Sequence, residues 1–240
     1  TNYNRNGSSR IMSKIEVDQI DPQSGTTLTL GTSGDTVVVP SGVSLAPGGG
    51  LTLTGNFVVD GGTVKLDGNY PTGTDNVAMG DTALDSVEAG GIRNVAIGSK
   101  ALTAATTGDA NVAIGWQALD ALTTSSNNVA VGANALSANT SGTQNTAVGR
   151  EAGQVITTGS CNTLVGSFSA QGLTTGSANT SLGSLTLGAL TTGSSNIAIG
   201  CGALAANTTA SNNTAVGDLS LVANTTGTEN VSVGKCALAA

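Results

Sequence analysis

The chain has 240 residues, of which 38% are hydrophobic, 10% are charged and 2% are aromatic, and its formal net charge is -7. This hydrophobic content excludes a chain that is disordered by composition, and 35 glycines with few aromatics favour a thin repeat over a globular core. The negative charge argues against nucleic acid or an anionic membrane as a partner, and no apolar run has the length of a transmembrane helix.

The first 75 residues differ from the rest of the chain. Residues 1–11 lack the apolar core of a secretory signal, and Met12-Ser13-Lys14 is typical of a native start, so we interpret 1–11 as a tag, a remnant or a flexible N-terminus. Within 12–75, short β-like runs are bounded by Gly, Pro, Ser or Asp. Phe57 is nearly the only large side chain there, which predicts an intertwined, oligomeric β-rich shaft.

Residues 76–240 contain ten copies of a pentamer close to Asn-Val-Ala-Ile-Gly. The first step between copies is 18 residues and every later step is 17, which predicts a repeat architecture. Asparagine opens the copies at Asn76, Asn94, Asn111, Asn128, Asn145, Asn162, Asn179, Asn196, Asn213 and Asn230. Glycine closes them at Gly80, Gly98, Gly115, Gly132, Gly149, Gly166, Gly183, Gly200, Gly217 and Gly234.

Other positions of the copies are almost as regular. The residue before the closing glycine is always aliphatic or Met, and the one before that is small except at Leu164. Leucine follows the asparagine by eight residues in eight of ten copies, with Gly153 and Ala170 as the exceptions. Thr-Thr-Gly or a close variant ends most copies, which is typical of a turn.

This interval predicts an all-β fold, a parallel β-solenoid (β-roll) of ten 17-residue rungs. The pentamer predicts a strand ended by a glycine turn, and we expect a second short strand through Ala-Leu and a turn at Thr-Thr-Gly. Ten rungs stacked at about 4.8 Å span roughly 43 Å. We expect the asparagines to form a ladder of amides along the stack, and the glycines to mark corners with positive φ or no room for a side chain.

The pentamer also predicts association between chains. The residues after Asn and before Gly point to one side of the strand, and the central Ala points to the other. Only one of these apolar faces can fill a narrow coil, so the other needs a second surface, most simply another copy of the chain. The residues alone do not determine the number of copies.

Few residues are candidates for chemistry, since the chain contains no histidine. Asp81, Asp85 and Glu88 cluster in the first copy, where two carboxylates could act in glycoside hydrolysis, but we interpret them as a solvated surface. No carboxylate recurs at one position of the repeat, so no repeated calcium site is indicated. We therefore assign no catalytic, metal-binding or cofactor-binding residue and expect no enzymatic activity.

Two aromatic residues lie close to corner glycines. Trp116 follows Gly115 and could stack on a sugar, but we interpret it, like Phe168, as a packed or half-exposed corner residue. Arg150 and Glu151 are interpreted as a surface pair. The receptor-binding residues are not identified by the sequence.

The cysteines and threonines also have alternative interpretations. Cys161, Cys201 and Cys236 fall at different positions of their copies, so we predict free, buried or half-buried thiols.

Ice-binding solenoids present Thr-X-Thr arrays on one face, whereas adjacent threonines lie on opposite faces. Turn chemistry is therefore our interpretation of the Thr-Thr pairs.

Several of these segments resemble known fibre proteins. The block 15–45, with Ser-Gly-Thr-Thr-Leu-Thr-Leu-Gly and Ser-Gly-Asp-Thr-Val-Val-Val-Pro-Ser-Gly, resembles the N-terminal part of tail fibres of marine tailed bacteriophages. The Asn-Thr-Ala-Val-Gly copies, with Ala-Leu and Asn-Thr-Thr-Gly between them, resemble the repeats of such fibres. They are also similar to the head repeat of trimeric autotransporter adhesins, a left-handed parallel β-roll that trimerises.

The resemblance implies a homotrimeric tail fibre in the virion, which spaces and presents a host-receptor-binding tip during adsorption. Region 12–75 would attach to a tail or baseplate protein, and a bacterial surface receptor would be bound by a distal part beyond this chain. Because a solenoid end needs a cap and Ala240 falls inside a copy, we expect the native chain to continue or to have been cleaved.

The alternative to a tail fibre is a trimeric adhesin on the bacterial cell surface. A glycan-degrading solenoid is a further alternative, but a 17-residue rung leaves no floor for a cleft.

Overall fold

The computed structural model describes residues 75–88 and 90–239. The predicted segment 1–11 and the predicted shaft, 12–75 apart from its last residue, lie outside the described residues. The described part contains ten strands of three residues each. They are β1 (Val77–Met79), β2 (Val95–Ile97), β3 (Val112–Ile114), β4 (Val129–Val131), β5 (Thr146–Val148), β6 (Thr163–Val165), β7 (Thr180–Leu182), β8 (Ile197–Ile199), β9 (Thr214–Val216) and β10 (Val231–Val233).

All ten strands form one parallel sheet in which each strand pairs with the next along the chain. The register is constant, so that Ala96 lies opposite Ala113 and Ala113 lies opposite Ala130. Val77 lies opposite Val95, and the extra residue of the first step is therefore accommodated outside the strands. The prediction of an all-β parallel solenoid with rungs of 17 residues is confirmed.

The predicted second strand through Ala-Leu is wrong for the described rungs, where this segment is a turn. In the rung of β3 the turn covers residues 116–121, and Gln117 and Leu119 adopt φ values of 54° and 53°. Such left-handed residues interrupt an extended backbone, and they bend the chain back within the few residues that a short rung allows. The turn still stacks on the next rung, since the Leu119 N–H donates to the Ala135 carbonyl at 3.1 Å.

Columns of buried side chains fill the interior of the solenoid. The central residue of each strand points inward and is usually alanine, as at Ala113 and Ala130, both fully buried. Leucines eight positions after the asparagine fill much of the remaining space, together with Leu or Ile eleven positions after it in several rungs, as at Leu119 and Leu122. Alanine is the inward residue of the pentamer because only a small side chain fits opposite these leucines at the packing density of a protein interior.

Leu164 interrupts the alanine column at the level where the leucine column is incomplete. Gly153 and Ala170 occupy the leucine positions of the preceding rung and of the same rung, and Leu164 is fully buried. A Cβ atom added to Gly153 would lie only 2.6 Å from Leu164 Cδ1. Leu164 therefore fills volume that the missing leucines leave, and the three departures from the repeat form one packing unit.

Small polar residues replace alanine in the interior near β7 and β10. Ser169 Oγ donates to Ser181 Oγ at 2.7 Å, and the Ser181 hydroxyl also bonds to the Thr186 hydroxyl. Ser220 Oγ donates to Ser232 Oγ at 2.8 Å. Each of these buried hydroxyls thus has a partner in an adjacent column, which offsets the cost of removing it from water.

Candidate functional site

The ten repeat asparagines lie one above another at the start of the strands. The backbone N–H of Asn128 donates to Asn111 Oδ1 at 3.0 Å, and Asn128 Oδ1 accepts from the N–H of Asn145 at 3.0 Å. Asn128 Nδ2 donates to the carbonyl of Gly142 at 3.0 Å, across the rung. The backbone bond recurs at every step of the column from Asn94 to Asn230.

An amide suits this column because it both accepts and donates. Oδ1 takes the N–H of the next rung, and Nδ2 satisfies the carbonyl of the turn residue fourteen positions later, which closes the rung. The asparagines between Asn94 and Asn213 are almost completely buried, so these bonds are shielded from water. The ladder holds rungs together and gathers no reactive group.

The corner glycines have a conformation and a packing that exclude side chains. Their φ values run from 119° at Gly200 to 138° at Gly149, outside the region that most residues adopt. All but the last, Gly234, also stack closely on the next rung; a Cβ atom on Gly115, for example, would lie 2.6 Å from both C and O of Gly132. Both conditions that define a glycine corner therefore hold at once.

Substitution of Gly149 by alanine is expected to destabilise the solenoid by about 3 kcal/mol. The added Cβ atom would lie 2.5 Å from the carbonyl oxygen of Gly166, at a φ of 138°. Gly188→Ala is the matched control, because its Cβ atom would meet only the Leu185 carbonyl oxygen at 3.4 Å. Thermal unfolding followed by circular dichroism at fixed protein concentration measures both variants, and equal melting temperatures would contradict the corner role.

The acidic residues of the first copy do not gather into a metal-like cluster. Asp81, Asp85 and Glu88 are all exposed. The part of the chain that the structure describes contains no group of three or more His, Cys, Asp or Glu side chains that could hold a metal ion. Arg150 and Glu151 form an ion pair on the surface, with 3.4 Å between Nη1 and Oε1.

The two threonines of each pair have different surroundings. The first hydroxyl bonds to the next rung, since Thr157 Oγ1 donates to the Thr174 carbonyl at 3.3 Å and Thr174 Oγ1 donates to the Thr191 carbonyl at 2.9 Å. The second threonine, as at Thr158, is exposed. The hydroxyls of the first threonines thus stabilise the stacking of the turns.

The three cysteines are free, as predicted, but their predicted burial is wrong. Cys161, Cys201 and Cys236 are all exposed. They lie one residue before an asparagine or within two residues after a corner glycine. Side chains at these positions point away from the interior, which the alanine and leucine columns already fill.

Two columns of side chains cover the outward side of the sheet, which we call the outer sheet face. They are the residues that follow the asparagine and those that precede the corner glycine, mostly Val, Ile and Thr. Many are markedly exposed, including Met79 at 53%, Leu182 at 47% and Ile197 at 40%. With ten strands of three residues, the face covers about 400 Å² in projection. Thr146, Thr163, Thr180 and Thr214 interrupt the first column, whereas the second is aliphatic or Met throughout. Apolar patches of a few hundred Å² are often interaction sites.

The turn after each corner glycine carries further surface residues, several of which the sequence analysis did not single out. Trp116 is 51% exposed, and Phe168 is half-buried beneath Arg150. Gln117 and Asp120 are joined by a hydrogen bond of 3.2 Å. The sequence feature that could have identified Gln117 and Asp120 is their position two and five residues after Gly115. That spacing predicts a hydrogen bond between them only once the path of the turn is known.

Comparisons with known proteins found no matching family model, no matching curated protein and no matching solved structure. Among the described residues, no helix has the length and apolar character needed to cross a membrane.

Proposed function

We propose that this chain is a structural tail-fibre protein of a tailed bacteriophage, which spaces and presents a host-receptor-binding tip during adsorption. Three copies associate through the outer sheet face, and the solenoid forms a section of the fibre. Region 12–75, which apart from its last residue lies outside the described residues, attaches the fibre to a tail or baseplate protein. The bacterial receptor is bound by a distal part beyond this chain.

The outer sheet face is the observation that carries this proposal. Parallel sheets are generally covered on both faces, and among the described residues the turns of the chain pack against the inward face. The outward columns of Val, Ile and Thr repeat in register from strand to strand. Identical copies packed side by side would repeat the same contacts at every rung, which suits a long, straight fibre. The resemblance of 15–240 to phage fibre segments supports the biological assignment.

The proposal predicts a mass of three chains in solution. Size-exclusion chromatography with light scattering is expected to give three times the chain mass of 23.2 kDa. Leu182→Asp, which places a charge on the outer sheet face where Leu182 is 47% exposed, is expected to dissociate the assembly because an unpaired charge would be buried between copies.

Leu185→Asp is the matched control. Leu185 is as exposed as Leu182, at 50%, but lies beyond the Gly183 corner, away from the outer sheet face. This variant is expected to keep the oligomeric state of the parent chain. A stable monomer for the parent chain, or equal dissociation of both variants, would refute association through the outer sheet face. Electron microscopy of the native particle tests the tail location.

A further inference from the structure

Trp116 lies at one end of a surface that differs from the rest of the described solenoid. It is the single Trp of the chain and is 51% exposed. Its neighbours at the same position of adjacent rungs are Ser99 and Ala133, both small. Such an exposed aromatic ring offers a large apolar surface and an N–H donor to a ligand.

An amide and a carboxylate follow Trp116 in the same turn, at Gln117 and Asp120. Gln117 Nε2 donates to Asp120 Oδ2 at 3.2 Å, which leaves the Gln117 amide oxygen as an acceptor. The Asp120 carboxylate also accepts from the backbone N–H groups of Asp120 and Ala121. Burial raises the pKa of the Asp120 carboxyl above its ordinary value, and the charge of nearby Lys100 opposes this shift. Both side chains are half-buried and are joined to each other by this hydrogen bond.

A second polar group lies two rungs further along the same column. Arg150 stacks on Phe168, with Cζ 4.2 Å from the ring centroid, and its side chain is 58% exposed. Glu151 bonds to Arg150 and accepts from Gln171 Nε2 at 3.0 Å. Two rungs separate the backbones of Trp116 and Arg150 by about 10 Å along the stack.

The charges of this surface balance. Lys100 opposes Asp120, and Arg150 is paired with Glu151, so the surface attracts neither polyanions nor polycations strongly. It combines an aromatic face, paired amide and carboxylate groups and a guanidinium held in place by stacking. These groups match a sugar, which has an apolar C–H face and a rim of hydroxyls that both donate and accept.

We propose that this surface, defined by Trp116, Gln117, Asp120, Arg150, Glu151 and Phe168, is a binding site for a neutral glycan. A sugar ring stacks on Trp116, its hydroxyls bond to the Gln117–Asp120 pair, and a further unit of the polymer reaches Arg150 and Glu151. The site lies on the side of the solenoid, so it goes beyond the spacing role proposed above and does not rest on it.

A protein partner fits this surface less well. Trp116 is its only large, strongly exposed apolar side chain, since Phe168 is covered by Arg150. Stable protein interfaces bury about 800 Å² on each partner around several apolar anchors. The outer sheet face, on the other side of the Gly115 corner, offers such anchors, whereas this surface offers mainly hydrogen-bonding groups.

The single Trp makes the site directly observable. The full chain is titrated with hexasaccharides of glucose, mannose, galactose and N-acetylglucosamine while Trp emission is recorded, and retention on the corresponding immobilised polysaccharides is measured in parallel. At least one neutral glycan is expected to bind and to shift the emission saturably. Trp116→Ala and Asp120→Ala are each expected to weaken retention about tenfold or more.

Leu185→Ala is the control, because it removes an equally exposed apolar side chain from the position that Phe168 occupies one rung earlier. Its retention is expected to equal that of the parent chain. Absence of binding to every neutral glycan, binding only to anionic polysaccharides, or unchanged retention of the Trp116 variant would each overturn the proposal. So would dissociation of the oligomer by Trp116→Ala, which would place this ring between copies of the chain.

Discussion

Replacing Asn128 by aspartate is expected to destabilise the solenoid by about 3 kcal/mol or more at neutral pH. The side chain is fully buried, and the change removes the Nδ2 donor to the Gly142 carbonyl and its contact with Asn111 Oδ1. The carboxylate that replaces the amide would carry a charge without a counterion inside the ladder. It would also leave the Gly142 carbonyl without this donor, which adds the cost of a lost buried hydrogen bond.

The penalty is expected to depend on pH in a defined direction. Burial next to carbonyl oxygens raises the pKa of the introduced carboxyl above its unfolded value of about 3.9. The folded state therefore binds the proton more tightly, so the loss of stability is complete above the folded pKa and diminishes as the pH falls through it. Guanidinium unfolding of the variant and the parent chain at pH 7 and at about pH 4 measures this difference.

Asn127→Asp is the control for this experiment. Asn127 precedes Asn128, is exposed, and has a φ of 63° that aspartate tolerates. Its stability is expected to change by less than about 0.5 kcal/mol at either pH. Equal behaviour of the two variants would contradict a structural role for the buried amide column.

Leu164→Ala is expected to cost about 2–5 kcal/mol, because it opens a cavity where no leucine of the next column can fill the space. Gly153→Leu alone is also expected to destabilise, since even its Cβ atom would lie 2.6 Å from Leu164 Cδ1 and 2.9 Å from Ile156 Cδ1. Leucine can adopt the required backbone, because Leu136 has a φ of 51° and Gly153 a φ of 58°. The expected loss of stability in Gly153→Leu therefore comes from excess side-chain volume, and backbone strain adds little to it.

The double variant Gly153→Leu with Leu164→Ala restores the common residue to both columns. It is expected to be more stable than the sum of the single effects predicts, with a coupling energy of about 1–3 kcal/mol. Unfolding of the four proteins of the cycle at one concentration gives this coupling. Leu122→Ala with Gly153→Leu is a control cycle of nearly additive effects, since Leu122 belongs to a rung two steps away from that of Gly153, about 10 Å along the stack.

Much of the fold could be predicted from periodicity because a constant interval places equivalent residues in equivalent environments. The 17-residue step is too short for a helical pair, and its recurrent asparagine and glycine occupy positions whose demands the neighbouring rung sets. Asn128 and Gly149 are such positions, one bonded to the rungs on either side and the other too close to Gly166 for a side chain. The alternation of side-chain directions within the pentamer likewise predicted two apolar faces, one on each side of the strand.

The second strand was mispredicted for a local reason. Leu119 and its equivalents adopt positive φ, which costs an ordinary side chain roughly 1–2 kcal/mol and is rare for leucine. No residue preference indicates this conformation. It is imposed by closure of a short rung and offset by burial of the leucine side chain in the interior.

The sequence by itself determined the repeat, the parallel stacking and the two columns that hold rungs together, because these depend only on the interval and on residue type. Only the tertiary structure decided that alanine faces inward, that Leu164 fills the space beside Gly153, and that Arg150 meets Phe168 while Gln117 meets Asp120. Such contacts depend on the path of the turn and on the volume shared between rungs. The pattern of residues along the chain specifies neither the path of the turn nor the shared volume, because both arise only when successive rungs pack against each other.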